Sequence, residues 1–496
     1  MKIGFLFGAG AELSYGFPTG GKFSLDIFRQ DVKTNKEEFI KIRSDVDNSL
    51  YDNEWWPEGF KKNKITTYGT KIINTLIKDT LDENRKKIIE NINKFDDYAE
   101  NVKHAKKCYD DIDEIFLESL KKSVDSCNVG ENIILNPKLV GENNLFNSHY
   151  FSALIFFYNK YEENDEYKKQ LKKMISSIIE LQIGALSSYL VDDVNQRVVK
   201  ICDMDTDIFN EVGDIIKVDY QSVGVKGLEY LLENDKIDDS NDISDIEKIV
   251  YYTKDILEEI FCSVLDYKSL IDSNWRYIYS PKSDWAKFTK ISIFLLTVKN
   301  YIKNISDNCD IDDGYYDDLI EKNFEFGFVA TTNYSDLIEK KLNRKVIFLN
   351  GSINEWYDPY LNVIEKGSEL RGKFKLPLIF TQSGTKPMTA VSKSCDYVDL
   401  YRDWEKVDGI VIVGFGFNKD DEHINAILRT LVDDDMKKIY VVHKDIERNE
   451  VAKRLRIKNI SNINICKVDD YRTRKIGNNT WIEYICDEIN KIKSSN

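Results

Sequence analysis

KIGFLFGAGAELSYGFPTGG, Lys2 to Gly21, sets a short apolar run directly against a glycine-rich loop. Lys2–Phe7 reads as a buried strand, and Leu25–Phe28 as part of the helix that follows. A strand opening through glycines into a helix is the usual cradle for a phosphate. Gly8 and Gly10 would let the backbone approach a pyrophosphate, and Ala9 and Ala11 keep the loop narrow. The helix start would add free N–H groups and the positive end of its dipole. No GK[ST] follows, so this is not a Walker loop. Nor is it the dehydrogenase GxGxxG, because Leu13 stands where the third glycine belongs. A lone GAG after a strand is weak evidence, since a structural turn is the alternative explanation.

One strand cannot make a sheet, so Lys2–Phe7 needs partners from elsewhere in the chain. They are expected after about residue 320, where FGFVATTN, KVIFLNGS, KLPLIFTQ, DGIVIVGFG, KKIYVVHK and INICKV each read as a buried strand. LIEKKL and DEHINAILRTLV read as helices between them. The alternation predicts an α/β fold: a Rossmann-like parallel sheet of about six strands with helices on both faces. The middle of the chain breaks this pattern and reads as a large, mostly α-helical insertion. Ile246, Val250, Thr253, Leu257, Ile260 and Val264 share one helical face, as do Trp285, Phe288, Ile291, Leu295, Val298 and Ile302. Ser283 or Asp284 is placed to cap the second of these helices. Further helices are expected near 70–93, 109–124 and 168–192. The expected domains are 1–64 with 319–496 for the sheet, and 65–318 for the insertion.

The bulk properties narrow the class. The formal net charge is −15, which disfavours nonspecific binding to nucleic acid or anionic lipid. The longest apolar run, Ile291–Val298, falls short of the roughly 18 residues that span a bilayer. MKIGFLF carries no signal-peptide features, so a cytoplasmic protein without a membrane partner is expected. The cysteines form no CxxC pair and the histidines no HxxxH, so no metal site is expected.

Four stretches, taken in order, resemble the NAD-binding core of sirtuins. Gly8-Ala9-Gly10 followed by Gly16-Phe17-Pro18 resembles the GAG…GIP opening. Thr331-Thr332-Asn333-Tyr334 looks like the TTNYD of sirtuin-like antiphage effectors. Leu349-Asn350-Gly351-Ser352, with Trp356 beyond, resembles LHGS. Gly414-Phe415-Gly416-Phe417, with Asp421, His423 and Ile424, resembles the late GFGF strand-loop. The resemblance covers about 1–30 and 325–445. It implies NAD+ as the substrate, with Gly8, Ala9, Gly10, Ala11, Glu12, Pro18, Thr332, Asn333, Gly351, Ser352, Gly414, Phe415 and Gly416 as binding residues. The zinc module of deacetylases is missing, and Thr19-Gly20-Gly21 replaces their DFR. The implied activity is therefore that of an abortive-infection effector, a hydrolase splitting NAD+ into nicotinamide and ADP-ribose. It would be held off until infection, with a protein activator or regulatory subunit of the same system as partner, and an oligomer is expected. The competing readings are a silent NAD or ADP-ribose sensor subunit and, less favoured, a protein deacylase.

The catalytic positions implied are Asn333, which would orient a water or the ribose hydroxyls, Asp336, and position 350. The family carries its general base, a His, at this last position. Here it is Asn350, and an amide has no proton to exchange near neutral pH. General acid–base help is typically worth about 10²–10⁴-fold, so turnover should suffer more than binding. Three explanations stand: an engineered silencing exchange, a natural inactive binder, or another group in the role, with Asp336, Glu12 or His423 nearest in motif terms. The family's Asp after Tyr is Ser335 here, one place before Asp336. Glu12 replaces the Ser of deacetylases. It reads either as a ribose contact or as a first-turn charge facing the helix dipole.

Overall fold

A computed structural model describes residues 1–18, 20–60, 62–68, 83–129, 144–163, 165–186, 243–265, 276–320, 322–367, 372–379 and 391–495. The chain divides into two compact units. One comprises Met1–Thr19, Gln30–Tyr68 and Tyr267–Asn496, the other Gly20–Arg29 and Gly69–Asp266. These boundaries differ from the sequence boundaries over 20–29, 65–68 and 267–318.

The first unit is built on a six-stranded sheet ordered β3-β2-β1-β7-β8-β9. Its strands are β1 (Lys2–Phe7), β2 (Glu325–Thr331), β3 (Ile347–Phe348), β7 (Gly409–Val413), β8 (Ile439–His443) and β9 (Ile463–Lys467). Every pairing is parallel. β1 lies between β2 and β7, so the N-terminal strand is central, and the strand order reverses at it. Open parallel sheets place their crevice at the carboxyl ends of the strands beside such a reversal.

Alternation along the strands gives the sheet two apolar faces. Leu6, Ile410, Ile412, Ile439 and Val441 share a core with Leu400 and Trp404 of the helix Val391–Trp404, Ile424 and Leu428 of Glu422–Asp433, and Val451 of Arg448–Leu455. On the other face Phe5 packs on Phe7, Phe324 and Phe326, and Tyr316 stands edge-on to Phe7. A Cβ on Gly409 would meet Tyr440 and Ile489 of the helix Trp481–Ser495 there. Helices thus cover both faces, as the sequence reading expects.

KLPLIFTQ departs from that expectation. Its β6 (Leu376–Ile379) pairs antiparallel with β4 (Gly351–Asp358), which also pairs with β5 (Val363–Lys366) in a separate three-stranded sheet. A fully buried apolar run does not reveal which sheet it joins. Residues 380–382 of that stretch lie outside the described residues. The helix Trp285–Asp307, capped by Asp284 accepting from the Lys287 N–H, packs on Val32–Ser44, β4 and β6 within the first unit.

The described elements of the second unit are helices. Its core gathers Ile88, Phe95, Phe116, Phe151, Leu154, Ile175 and the Ile246–Val264 stripe, in which every predicted position is buried. Gly20–Phe28 packs on Asp245–Cys262 so closely that a Cβ on Gly21 would lie 1.7 Å from the Cys262 carbonyl oxygen. Glu258 is held there between Lys22 and Arg29. The expected helices at 109–124 and 168–192 appear as Ile112–Leu120 and Glu166–Leu186, and that at 70–93 as Arg85–Ile92. The remainders, 70–82 and 187–192, lie outside the described residues.

Candidate functional site

The four motif stretches meet at the carboxyl ends of β1, β2, β3 and β7. Beyond Phe7 the Gly8 N–H donates to the Val413 carbonyl at 2.9 Å, and the Gly10 N–H to the Gly414 carbonyl at 3.0 Å. A Cβ on Gly8 would lie 2.5 Å from the Gly414 oxygen, and one on Gly10 2.8 Å from the Gly414 Cα. Gly414 is left-handed at φ +63°, and a Cβ there would meet the Ala11 nitrogen at 2.3 Å. These glycines therefore serve a close approach of two protein loops at the point where the sheet reverses.

The α-helix expected to hold Leu25–Phe28 is present but begins only at Gly20, so the glycine loop does not open directly into its start. Ala9–Tyr15 is a 3₁₀ helix ended by Gly16 at φ +84°. Ala11 N–H closes back on the Gly8 carbonyl at 3.0 Å. The N–H groups of Gly8, Gly10 and Ala11 are thus engaged with backbone and are not left for an anion in this arrangement. Ala9 is exposed at the outer edge of the loop, and Pro18 follows Gly16 beyond the 3₁₀ helix.

The end of β2 is tied to this loop. Thr331 Oγ1 donates to the Phe7 carbonyl at 3.1 Å and accepts the Asn333 N–H at 3.0 Å. The Thr332 N–H donates to the same carbonyl at 2.9 Å. Asn333 Nδ2 donates to the Gly8 carbonyl at 3.1 Å. The turn after β3 then joins β2: the Leu349 N–H donates to the Thr331 carbonyl at 2.8 Å, and Asn350 Nδ2 to the Thr332 carbonyl at 3.3 Å. Gly351 is required there, at φ +82° with the Leu378 oxygen 2.1 Å from an added Cβ. Ser352 is buried and accepts the Asn354 N–H at 3.3 Å.

Glu12 is not a solvated first-turn charge. Its side chain is buried, with 3% of the residue exposed. It accepts from Ser335 Oγ at 2.6 Å and from the Tyr316 hydroxyl at 2.9 Å. Burial pushes its carboxyl up from an ordinary 4.5 to about 7, opposed by the neighbouring Ser335, Tyr316 and Asn333 side chains and reinforced by the charge of Asp336. Burial, and then Glu12 itself, hold the Tyr316 phenol well above its ordinary range. Tyr316 stacks on Tyr15, and Asn333 Nδ2 lies 3.4 Å from its hydroxyl.

The other two candidates for a replacement base sit elsewhere in the network. Asp336 takes the Ser306 hydroxyl at 2.6 Å, Asn354 Nδ2 at 3.1 Å and the Lys340 ammonium at 2.9 Å. Burial would raise its carboxyl, but these partners bring it below the ordinary value, so it is an ionised fastener of the helix Leu337–Leu342. His423 is half-buried, its ring edge-on to Tyr397 at 5.6 Å. Phe415 is buried beside Phe417 in the core, and the Gly416 carbonyl accepts from Arg454.

Sequence reasoning missed Tyr316, Lys393, Glu355 and Tyr397. The buried Lys393 Nζ donates to the Phe348 carbonyl at 2.5 Å and pairs with Glu355 at 3.1 Å, and the Tyr397 hydroxyl donates to the Leu349 carbonyl. Together they hold the turn that carries Asn350. These residues sit in stretches that periodicity reads only as helix or strand, so no local signal marks them.

Among the described residues, no group of three or more His, Cys, Asp or Glu side chains is arranged to hold a metal ion. None of their helices is long and apolar enough to cross a membrane. No protein-family model, no curated protein and no solved structure matches the chain.

Proposed function

We propose that this protein binds NAD+ at the crevice beside β1 and hydrolyses its nicotinamide–ribose bond, as an antiphage effector of the sirtuin-like class. The observation that carries the reading is convergence. Gly8–Glu12, Thr331–Ser335, Leu349–Ser352 and Gly414–Gly416 were grouped by resemblance alone, and direct hydrogen bonds join them at the carboxyl ends of neighbouring strands. That is where open parallel sheets bind nucleotides.

The chemistry asked of these residues is modest. NAD+ would bring its own leaving group, because nicotinamide departs neutral, with the electron pair of the broken C–N bond. The protein must hold the ribose, admit one water and accept that water's proton. The Gly8 carbonyl can only accept, so it fixes Asn333 with Nδ2 inward and leaves Oδ1 as the end able to meet a hydroxyl or water. Asn350, an amide tied to the Thr332 carbonyl, can position but cannot take the proton.

That last point also favours a second reading, a nucleotide-binding subunit without catalysis. Incubation with NAD+ separates the two. Asn350→His that releases nicotinamide and ADP-ribose removes the pure binder. Intact ADP-ribose binding without cleavage by Asn350→His removes the hydrolase. An activating subunit and an oligomeric assembly belong to the same proposal, because depletion of NAD+ must be held off until infection. A cytoplasmic site of action is part of it too.

A further inference from the structure

Asn333 is a buried amide among the motif loops, and both hydrogens of its Nδ2 have an acceptor within reach. One acceptor is the Gly8 carbonyl at 3.1 Å, the other the Tyr316 hydroxyl at 3.4 Å. Asn333 Oδ1 has no hydrogen-bond partner among the described residues. A hydroxyl has one hydrogen to give and two lone pairs to accept with. Tyr316 gives its hydrogen to Glu12 Oε1 at 2.9 Å, which leaves its oxygen free to accept from Asn333. A carboxyl oxygen can accept whether or not the group is ionised, so this direction does not turn on the charge of Glu12.

The Tyr316 ring is itself held fast. It is fully buried, stacks on Tyr15 at 5.3 Å and stands edge-on to Phe7 at 5.1 Å. Its backbone N–H donates to the Tyr15 hydroxyl at 3.0 Å, and that hydroxyl donates to Asp317 at 2.8 Å. Asp317 is paired with Lys341 at 3.3 Å. With the Gly8 carbonyl as its single anchor, the Asn333 amide could pivot about that bond. A second acceptor on an immobile ring removes the freedom.

We propose that Tyr316 is a positioning residue: its hydroxyl oxygen takes the second Nδ2 hydrogen of Asn333 and so fixes Oδ1 as the acceptor for a hydroxyl of the nicotinamide ribose. The consequence for a ligand rests on the NAD+ reading above; the hydrogen bond itself does not. A fixed acceptor selects a ligand that brings a donor. A ligand without that hydroxyl leaves the buried oxygen unpaired, which is how such sites discriminate.

The test is a double-mutant cycle in the full chain. Tyr316→Phe keeps the ring between Tyr15 and Phe7 and removes the hydroxyl. ADP-ribose should bind this variant about 2–10-fold more weakly than wild type, the range that one hydrogen bond is worth. ADP, which lacks the terminal ribose, should bind both alike. In an Asn333→Ala background Tyr316→Phe should have no further effect on ADP-ribose, because it acts through that amide. An unchanged ADP-ribose affinity, equal weakening of both ligands, or the same factor in the Asn333→Ala background overturns the proposal. Urea unfolding of the same four proteins reads the hydrogen bond without a ligand. The Glu12 bond is lost in both backgrounds, so Tyr316→Phe should lower the midpoint more in wild type than in Asn333→Ala. Equal losses also overturn the positioning role. Absence of ADP-ribose binding by wild type would sink the NAD+ reading, and the unfolding cycle then decides the role of Tyr316 alone. Should Tyr316→Phe not fold, a crystal structure of wild type with ADP-ribose decides. Asn333 is expected between the Tyr316 oxygen and a ribose hydroxyl, and a side chain turned away from Tyr316 overturns the proposal.

Discussion

Replacing Glu12 with Gln should change how stability depends on pH, by an amount the structure sets. Folding raises the Glu12 carboxyl from 4.5 to about 7. A group raised on folding contributes stability that is complete below its unfolded value and lost as pH rises through its folded one. For Glu12 the window therefore runs from about pH 4.5 to pH 7. Each tenfold change in proton affinity is worth about 1.4 kcal/mol, so the whole span is about 3 kcal/mol, with most of it falling between pH 5 and pH 8. Gln keeps the size and the acceptor oxygen but carries no charge at any pH. Urea unfolding of both proteins at pH 5, 6, 7 and 8 isolates the effect. The stability of Glu12→Gln relative to wild type should rise by about 2–3 kcal/mol from pH 5 to pH 8, whatever its absolute value at either end. A difference that stays constant within about 0.5 kcal/mol across that range would refute the claim that Glu12 is buried without a compensating cation.

Gly414→Ala should cost at least about 1–3 kcal/mol, because a left-handed residue gains a side chain against the Ala11 nitrogen; urea denaturation reads the loss, and ADP-ribose titration should show weakened binding. Lys393→Met leaves Glu355 buried, with Lys366 at 3.7 Å its remaining cation among the described residues, so a loss of about 3 kcal/mol is expected in thermal or urea unfolding. Adding Glu355→Leu should recover most of it, since the cost lies in the unpaired charge.

The sheet was legible because its strands are long enough and apolar enough to declare themselves. GIVIV and IYVV are buried almost throughout, and only a parallel sheet covered on both faces asks for that. The need of Lys2–Phe7 for partners brought the N-terminus to the centre of the sheet. KLPLIFTQ shows where such reading stops. Its apolar run is as strong, yet pairing with Gly351–Asp358 takes it into another sheet. The glycines at 8, 10 and 414 were found, but their immediate reason was not. A glycine marks a close approach without naming the partner, and here the partner is backbone. Glu12 was read as a ribose contact or a surface charge because nothing nearby in sequence encloses it. Tyr316, Asn333 and Ser335 lie more than 300 residues away and come to it only through the pairing of β1 with β2.

The central claim is that these loops form an NAD+ site that has lost its base at position 350. Wild type and Asn350→His, incubated with NAD+ at pH 8 and followed by chromatography of nicotinamide and ADP-ribose, test it directly. The account predicts both products in equal amounts from Asn350→His, at a rate about 10²–10⁴-fold above wild type. Absence of cleavage by the folded variant would contradict it: with ADP-ribose binding retained the hydrolase is lost, and without binding the NAD+ site itself is lost.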